Sequence, residues 1–207
     1  MVSPKLKEST ASAVARALNR VLLAVPSSRE VDAADPTSRA RHLRTLAARK
    51  AAGISTGLSL APGPAGMLTV LPDLMAIWRV QSSLVADIAS AYGKSGALTQ
   101  ESMVYCLFKH GGAALLRDLV VRVGERAVIR RASLRLMQEL LGKIGVRVTA
   151  RVVGRAASRW IPIAGAVGIG AYAYYDTKKV GDNAIELFSA ARIEVAPHEA
   201  GRTTVAS

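Results

Sequence analysis

The chain has 207 residues, enough for one ordinary domain, and its 28 Lys and Arg against 15 Asp and Glu give a formal net charge of +13. This excess of positive charge favours an anionic partner. Cys106 is the single cysteine, which excludes an internal disulfide, and with three scattered histidines it lacks the spacing of a structural zinc site. We therefore expect neither a metal nor a cofactor.

Composition and periodicity point to helices. Hydrophobic residues make up 50% of the chain and aromatic residues only 4%, which favours thin, closely packed helices over an aromatic-rich β core. Apolar residues recur at helical spacing in each periodic segment, and the breaks fall at Gly or Pro. We predict an all-α fold without a sheet, a multi-helix bundle of amphipathic helices and hydrophobic helices rich in small residues.

Three parts of the chain are distinguished by these signals. Residues 1–34 hold an amphipathic N-terminal helix and a linker. Residues 35–195 are predicted to form the main helical domain. Residues 196–207 are predicted to be a disordered tail because they are short, polar and terminal.

The main domain is predicted to begin with a helix and a turn. Asp35 can cap a helix that has Pro36 at its first position and continues through residues 37–52. Residues 51–72 carry no charge and are long enough to cross a bilayer, yet Pro and Gly within 62–66 would break a straight spanning helix. A turn between two helices is therefore favoured there.

Two shorter helices with clear ends are predicted next. One follows Pro72 and stops at Tyr92-Gly93, since a glycine commonly ends a helix. Thr99 is predicted to cap the second, which ends at Gly111-Gly112.

The remainder of the domain also carries helical periodicity. Residues 113–141 are predicted to be a long helical stretch that Gly124 could interrupt, and residues 143–159 another. An amphipathic helix over Thr177–Val195 is predicted to close the fold.

Positive charge is concentrated between residues 117 and 159, with 11 basic residues against three acids. A helix over 143–159 would carry a basic lane beside an apolar lane, each repeating every four residues. A basic edge beside an apolar edge, with a tryptophan at one end, suits a helix lying on anionic lipid. A solvated face of a bundle helix, or contact with nucleic acid or an acidic protein, are the alternatives. The predicted lipid-binding or anion-binding residues are Lys143, Arg147, Arg151, Arg155, Arg159 and Trp160.

Residues 160–175 form an uncharged segment that is shorter than the roughly 20 residues of a membrane-spanning helix. It contains two pairs of small residues four positions apart, which let another backbone approach closely. The contact could lie inside the bundle core, or in a membrane or a homo-oligomer. The predicted helix-contact residues are Ala164 with Gly168, and Ala166 with Gly170.

Several of these segments resemble one protein family. Residues 161–168 (Ile-Pro-Ile-Ala-Gly-Ala-Val-Gly), followed by 177–184 (Thr-Lys-Lys-Val-Gly-Asp-Asn-Ala) and Phe188, resemble the C-terminal signature of the EcsC family of bacterial helical proteins. Residues 62–73 and 89–93 resemble its N-terminal half. The resemblance covers residues 45–190 in the same order. It implies an EcsC-like, all-helical domain over 35–195, in a family whose biochemical role is poorly defined.

Three aspartates are candidates for a polar site. Asp73 and Asp87 are 14 positions apart, near one face of the same predicted helix. The structural alternative is that Asp73 favours a helix N-terminus and that Asp87 meets an arginine of the basic region. Asp176 comes from the resemblance, because many family members have a small polar residue such as asparagine near this place, where this chain has a tyrosine cluster.

The motifs that could carry catalysis are incomplete. Gly93-Lys94-Ser95 matches the end of a phosphate-binding loop, but Ile88 replaces its first glycine, so a helix terminus is predicted. Residues 57–61 approach a nucleophile elbow but end in alanine rather than glycine. Cys106 is expected to be a buried, inert thiol, and His110 to cap a helix end.

These signals predict a non-catalytic, peripheral membrane-associated protein that binds anionic lipid surfaces or a hydrophobic ligand. It would lie in the bacterial cytoplasm, at the cytoplasmic face of the membrane, and could form a homo-oligomer. A basic nucleic-acid-binding protein is the first alternative, although the basic lane adjoins Val and Ile rather than stacking aromatics. A hydrolase-like enzyme is the least favoured class.

Overall fold

The computed structural model describes residues 16, 25–59, 70–116, 119–133, 135–144, 146 and 162–196. The helices are α1 (Pro36–Ser59), α2 (Val70–Ala91), α3 (Gln100–Leu116), α4 (135–144) and α5 (Pro162–Phe188), with a 3-10 turn at Ser95–Ala97; the strands are β1 (Val120–Val123), β2 (Arg126–Arg130) and β3 (Arg192–Ala196). The predicted helical character is confirmed. The prediction that the protein has no sheet is wrong, because β1, β2 and β3 form one.

Helix α1 begins where the sequence predicts and ends later. Asp35 Oδ1 accepts a hydrogen bond from the Ser38 amide (3.0 Å), which satisfies one of the unpaired donors of the first turn. The helix continues past residue 52 to Ser59. Because many of its side chains are small, α1 packs closely along α5, which is the helix that it contacts most.

The predicted C-terminal end of α2 and the predicted start of α3 are confirmed, whereas α2 begins at Val70, with Pro72 in its first turn, rather than after Pro72. Gly93 has a φ of 64°, and the amides of Gly93 and Lys94 donate to the carbonyls of Ser90 and Ala89 (both 2.8 Å), the bonding pattern of a Schellman motif. At the start of α3, the Ser102 amide donates to Thr99 Oγ1 (3.3 Å).

Helix α3 does not stop at Gly111-Gly112, and this prediction is wrong. The helix passes through both glycines to Leu116, whose side chain is buried in the main core. Burial of Leu116 contributes about 1.5 to 3 kcal/mol, which offsets the two glycines at about 1 kcal/mol each relative to alanine.

The long helix predicted over 113–141 is instead a hairpin followed by α4. β1 and β2 are antiparallel, with Val123 aligned to Arg126 across the two-residue turn Gly124-Glu125. Gly124 has a φ of 59°, as the first position of a type II′ hairpin turn requires. Valine-rich flanks and a glycine turn favour this hairpin over a helix.

The third strand corrects the predicted helix Thr177–Val195. Helix α5 ends at Phe188, and residues 192–196 form β3, which pairs in parallel with β2. A parallel neighbour needs a long crossover connection, here supplied by the residues between β2 and β3, including α4 and α5. Ile193 and Val195 of β3 pack against the main core.

The main core lies between α2, α3, α5 and the inner face of the sheet. Trp78 of α2 and Phe108 of α3 meet edge to face, with ring centroids 6.4 Å apart. Ala127 and Ile129 of β2 are buried on the core side of the sheet, while Arg126 and Arg130 alternate outward.

The linker preceding α1 lies against α2. Ala33 donates its amide to the Ala91 carbonyl (3.1 Å), and Ser28 Oγ donates to Asp87 Oδ1 (2.6 Å). The predicted N-terminal helix, apart from Arg16 and Val25, and the tail after Ala196 lie outside the described residues. Among the described helices, none has the length and apolar character needed to cross a bilayer.

Candidate functional site

The predicted basic lane begins on α4. Lys143 is exposed there, while Ile144, the first member of the adjacent apolar lane, is buried in the main core. The remaining predicted members, Arg147, Arg151, Arg155, Arg159 and Trp160, lie outside the described residues. At the position that is described, the basic member therefore faces solvent and the apolar member faces the protein.

The exposed side of α4 carries apolar side chains of its own. Leu136 is 44% exposed and Val146, just beyond α4, is 60% exposed. With helical spacing, both share a face with Arg135 and Lys143, opposite the buried Met137 and Ile144. This face combines positive charge with accessible hydrocarbon.

Exposed cations also lie on the outer face of the sheet and in the segment that leads from β2 to α4. Arg126 and Arg192 are aligned on adjacent strands, a like-charge arrangement that is unfavourable without an anion. Arg135 pairs with Glu139 (3.4 Å), whereas the others make no ion pair with a described residue. We call this set the basic surface: Arg126, Arg130, Arg131, Arg135, Lys143 and Arg192.

Of the predicted helix-contact residues, Gly170 lies at a close contact. A Cβ atom at Gly170 would collide with Thr56 Oγ1 and lie 3.3 Å from the Ala52 carbonyl oxygen of α1. Gly168 is exposed, and no described atom lies within 4 Å of the position of its Cβ. The side chains of Ala164 and Ala166 lie outside the described part of the chain.

Of the three candidate aspartates, Asp87 and Asp176 have described side chains, and these two belong to different polar clusters. Asp87 lies on the side of α2 that meets the linker, where its described hydrogen-bond partner is Ser28 rather than an arginine of the basic region. Asp73 is the fourth residue of α2, and its side chain is outside the described residues. Asp176 of α5 has a different set of partners.

Asp176 is the centre of a polar cluster between α2, α3 and α5. His110 Nε2 lies 2.9 Å from Asp176 Oδ1, and Tyr172 donates its hydroxyl to the same oxygen (3.1 Å). The amide of the buried Gln81 donates to Asp176 Oδ2 (2.8 Å) and to Thr177 Oγ1 (3.3 Å). About one-fifth of the His110 and Asp176 side chains is exposed.

Asn183 fixes the other side of the histidine ring. Its Nδ2 donates to the Cys106 carbonyl (2.9 Å) and lies 3.4 Å from His110 Nδ1. A proton on Nε2 of His110 then suits both neighbours, since Nε2 donates to Asp176 and Nδ1 accepts from Asn183. In this tautomer both ring nitrogens of His110 are engaged.

The charge of Asp176 is stabilised by its neighbours. Burial acts to raise the pKa of Asp176, but hydrogen bonds from His110, Gln81 and Tyr172, and the positive charge that His110 carries whenever both of its ring nitrogens are protonated, outweigh burial and lower the pKa. Asp176 therefore stays ionised at neutral pH.

The single cysteine, Cys106, lies near this cluster, and its predicted burial is confirmed. Cys106 is completely buried, and burial raises the pKa of its thiol far above the usual range. The described residues contain no group of three or more His, Cys, Asp or Glu side chains placed to hold a metal ion.

Asp176 is a candidate through the resemblance alone, and the residues around it are not predicted from the sequence. His110 was expected at a helix end, yet it lies inside α3 because the helix continues to Leu116. Gln81 and Asn183 carried a usable signal. Each is a polar residue within an apolar stripe of helical spacing, Gln81 between Ile77 and Leu84, which predicts a buried hydrogen-bond partner.

Comparison with known proteins finds no matching family model, no matching curated protein and no matching solved structure. The resemblance to the EcsC family therefore stays a prediction from the sequence.

Proposed function

We propose that this protein is a non-catalytic, peripheral membrane-associated protein that binds anionic lipid surfaces. The observation that carries the proposal is the basic surface, where Arg135 and Lys143 share a helix face with the accessible side chains of Leu136 and Val146 and further exposed arginines lie on the sheet. Interfacial proteins need both features, because cations attract anionic headgroups and apolar side chains enter the headgroup boundary.

The charge of the basic surface is sufficient for measurable binding. Each Lys or Arg close to an anionic membrane contributes about 1 kcal/mol, so several acting together give a clear, salt-dependent signal. If the predicted lane from Arg147 to Arg159 faces the same way, it adds to this attraction. EcsC family membership and a cytoplasmic location at the inner membrane face are part of the same proposal.

A co-sedimentation experiment tests the proposal. The purified full chain is mixed with vesicles of phosphatidylcholine alone or with about one-third phosphatidylglycerol, at low and high salt. We expect binding to the anionic vesicles that weakens as salt rises. The variant Arg130→Gln, Arg131→Gln, Arg135→Gln should bind at least about tenfold more weakly, in line with about 1 kcal/mol per lost cation.

The matched control changes three exposed cations outside the basic surface, Arg29→Gln, Arg41→Gln, Arg49→Gln. It removes the same net charge and should retain most of the binding. Equal losses in the two variants would show that only net charge matters. Tighter, steeply salt-dependent retention on DNA than on vesicles would overturn the proposal in favour of nucleic-acid binding. The variant Arg147→Gln, Arg151→Gln, Arg155→Gln tests the predicted lane in the same assay.

A further inference from the structure

A groove between α1 and α2 is lined by both apolar and charged side chains. It is open to solvent and has a volume of about 350 Å³. From α1 it is lined by Leu43, Leu46, Ala47 and Lys50, which share one helix face. From α2 it is lined by Arg79, Val80, Ser83, Leu84 and Asp87.

The two helices are antiparallel, which orders the groove along its length. Thr37 Oγ1 at the start of α1 lies 3.1 Å from the Tyr92 hydroxyl just after α2. Ala51 of α1 likewise shares a small core cluster with Ile77 of α2. Residues near 50 in α1 therefore face residues near 79 in α2, so Lys50 and Arg79 lie toward the same end of the groove.

The two ends differ in charge. Lys50 and Arg79 are exposed, and neither forms an ion pair with a described residue. Asp87, toward the other end, already accepts a hydrogen bond from Ser28. One end thus attracts an anion, while the carboxylate at the other end repels one.

Between the charged ends the wall is hydrocarbon. Leu43 and Leu84 are buried and form the floor, with the partly buried Ala47 and Val80 beside them. Leu46 is 48% exposed at the mouth of the groove. Covering this aliphatic wall with another apolar chain would remove it from water, which is favourable.

We propose that the groove binds a single-chain amphiphile with an anionic head group, its head between Lys50 and Arg79 and its hydrocarbon chain along Ala47, Val80 and Leu84. The volume is at the lower end of the range for small-molecule sites, about 300 to 1,000 Å³, and so suits one chain rather than two. A fatty carboxylate and a monoalkyl phosphate share this chemistry. The proposal goes beyond membrane-surface binding and does not depend on it.

The test is calorimetric titration of the full chain with dodecanoate, dodecyl phosphate or dodecyltrimethylammonium, all below the concentration at which they form micelles. We expect saturable one-site binding of at least one anionic probe, about tenfold or more tighter than that of the cationic probe. Preference between carboxylate and phosphate identifies the head group. Equal binding of the anionic and cationic probes would overturn the proposal.

Three variants locate the site. Lys50→Gln, Arg79→Gln should weaken binding of the anionic probe about tenfold, and Ser83→Phe, which fills the groove from an exposed position, should abolish it. Arg41→Gln, Arg49→Gln removes the same charge from α1 outside the groove and should bind like the parent. Circular dichroism checks that each variant is folded. Unchanged binding of the anionic probe in both groove variants would contradict the proposal.

The same variants separate this site from the basic surface. Ser83→Phe should still co-sediment with anionic vesicles, and Arg130→Gln, Arg131→Gln, Arg135→Gln should still bind the probe. Either site can therefore fail its own test without affecting the result at the other.

Discussion

At the scale of single residues, the polar interactions with most consequence are made by side chains that join helices. Lys94 donates from Nζ to the carbonyl oxygens of Phe188 (2.8 Å) and Ala190 at the end of α5, which positions a cation where the helix dipole is negative. Burial lowers the pKa of Lys94. These hydrogen bonds hold the turn after α2 against the end of α5.

Asp176 gives a prediction about pH. Its pKa in the folded state is below the ordinary value of 3.8, so the unfolded chain takes up the proton first as pH falls. The stabilisation is therefore complete above that ordinary value and is lost as pH falls below it. Asp176→Asn should cost about 1 to 3 kcal/mol at neutral pH, because three donors then share one carbonyl oxygen.

Urea unfolding of the parent and Asp176→Asn, at intervals from neutral pH to about pH 3, measures this difference. It should shrink as the solution becomes acidic. Glu125→Gln, which alters an exposed acid in the hairpin turn, is the control and should track the parent. A difference that stays constant across the range would contradict ionic stabilisation by Asp176.

At the scale of helices and strands, local chemistry predicted several single helix boundaries but not the lengths of the helices. Asp35-Pro36, Gly93 and Thr99 mark helix boundaries because their effects act within a few residues. The continuation of α3 to Leu116 depends on burial in the core, which is a property of the whole fold. The hairpin was missed because the valines around Gly124 were assigned to a helical period, although β-branched residues flanking a glycine turn favour strands.

The contact between α1 and α5 yields a paired prediction on one helix. Gly170→Ala should destabilise the protein by about 1 to 3 kcal/mol, because the new methyl group collides with Thr56 and crowds the Ala52 carbonyl. Gly168→Ala should be neutral or stabilising by up to about 1 kcal/mol, since alanine favours a helix and no described atom is close.

Thermal unfolding of both variants, followed by circular dichroism, provides the comparison. Gly170→Ala should have the lower midpoint. If Gly168→Ala is instead the damaging change, or disrupts an oligomer seen by light scattering, then Gly168 packs against a surface beyond the described residues. Equal midpoints for the two variants would show that Gly170 is not a required close approach.

At the scale of the molecule, the site was harder to predict than the helical class. Composition and period predict helices, whereas the Asp176 cluster needs Gln81, His110 and Asn183 brought together from three helices. The spacing of these residues along the chain does not predict that their side chains come into contact. The groove likewise arises from the antiparallel pairing of α1 and α2, and the basic surface from the pairing of β2 with β3.

The last strand gives a prediction about the whole fold. A chain ending at residue 190 loses β3, and with it the packing of Ile193 and Val195 and the ladder to β2, so its stability should fall by about 2 to 4 kcal/mol. A chain ending at residue 196 removes only the segment predicted to be disordered and should keep its stability. The free energy of unfolding of both truncated chains, measured by chemical denaturation, tests this prediction. Equal losses of stability in the two chains would contradict a special role for β3.

The parallel pairing of β2 with β3 has a consequence for synthesis in the cell. β2 ends at residue 130 and β3 begins at residue 192, so roughly 60 residues separate them. At about 5 to 20 residues per second, a ribosome takes about 3 to 12 s to add this stretch. Throughout that time the amides and carbonyls along one edge of β2 lack the hydrogen-bond partners that β3 provides. An open edge of this kind can pair with a strand of another nascent chain. Arg126 and Arg130 flank that edge, and their charge repels a second copy of the same strand until β3 arrives.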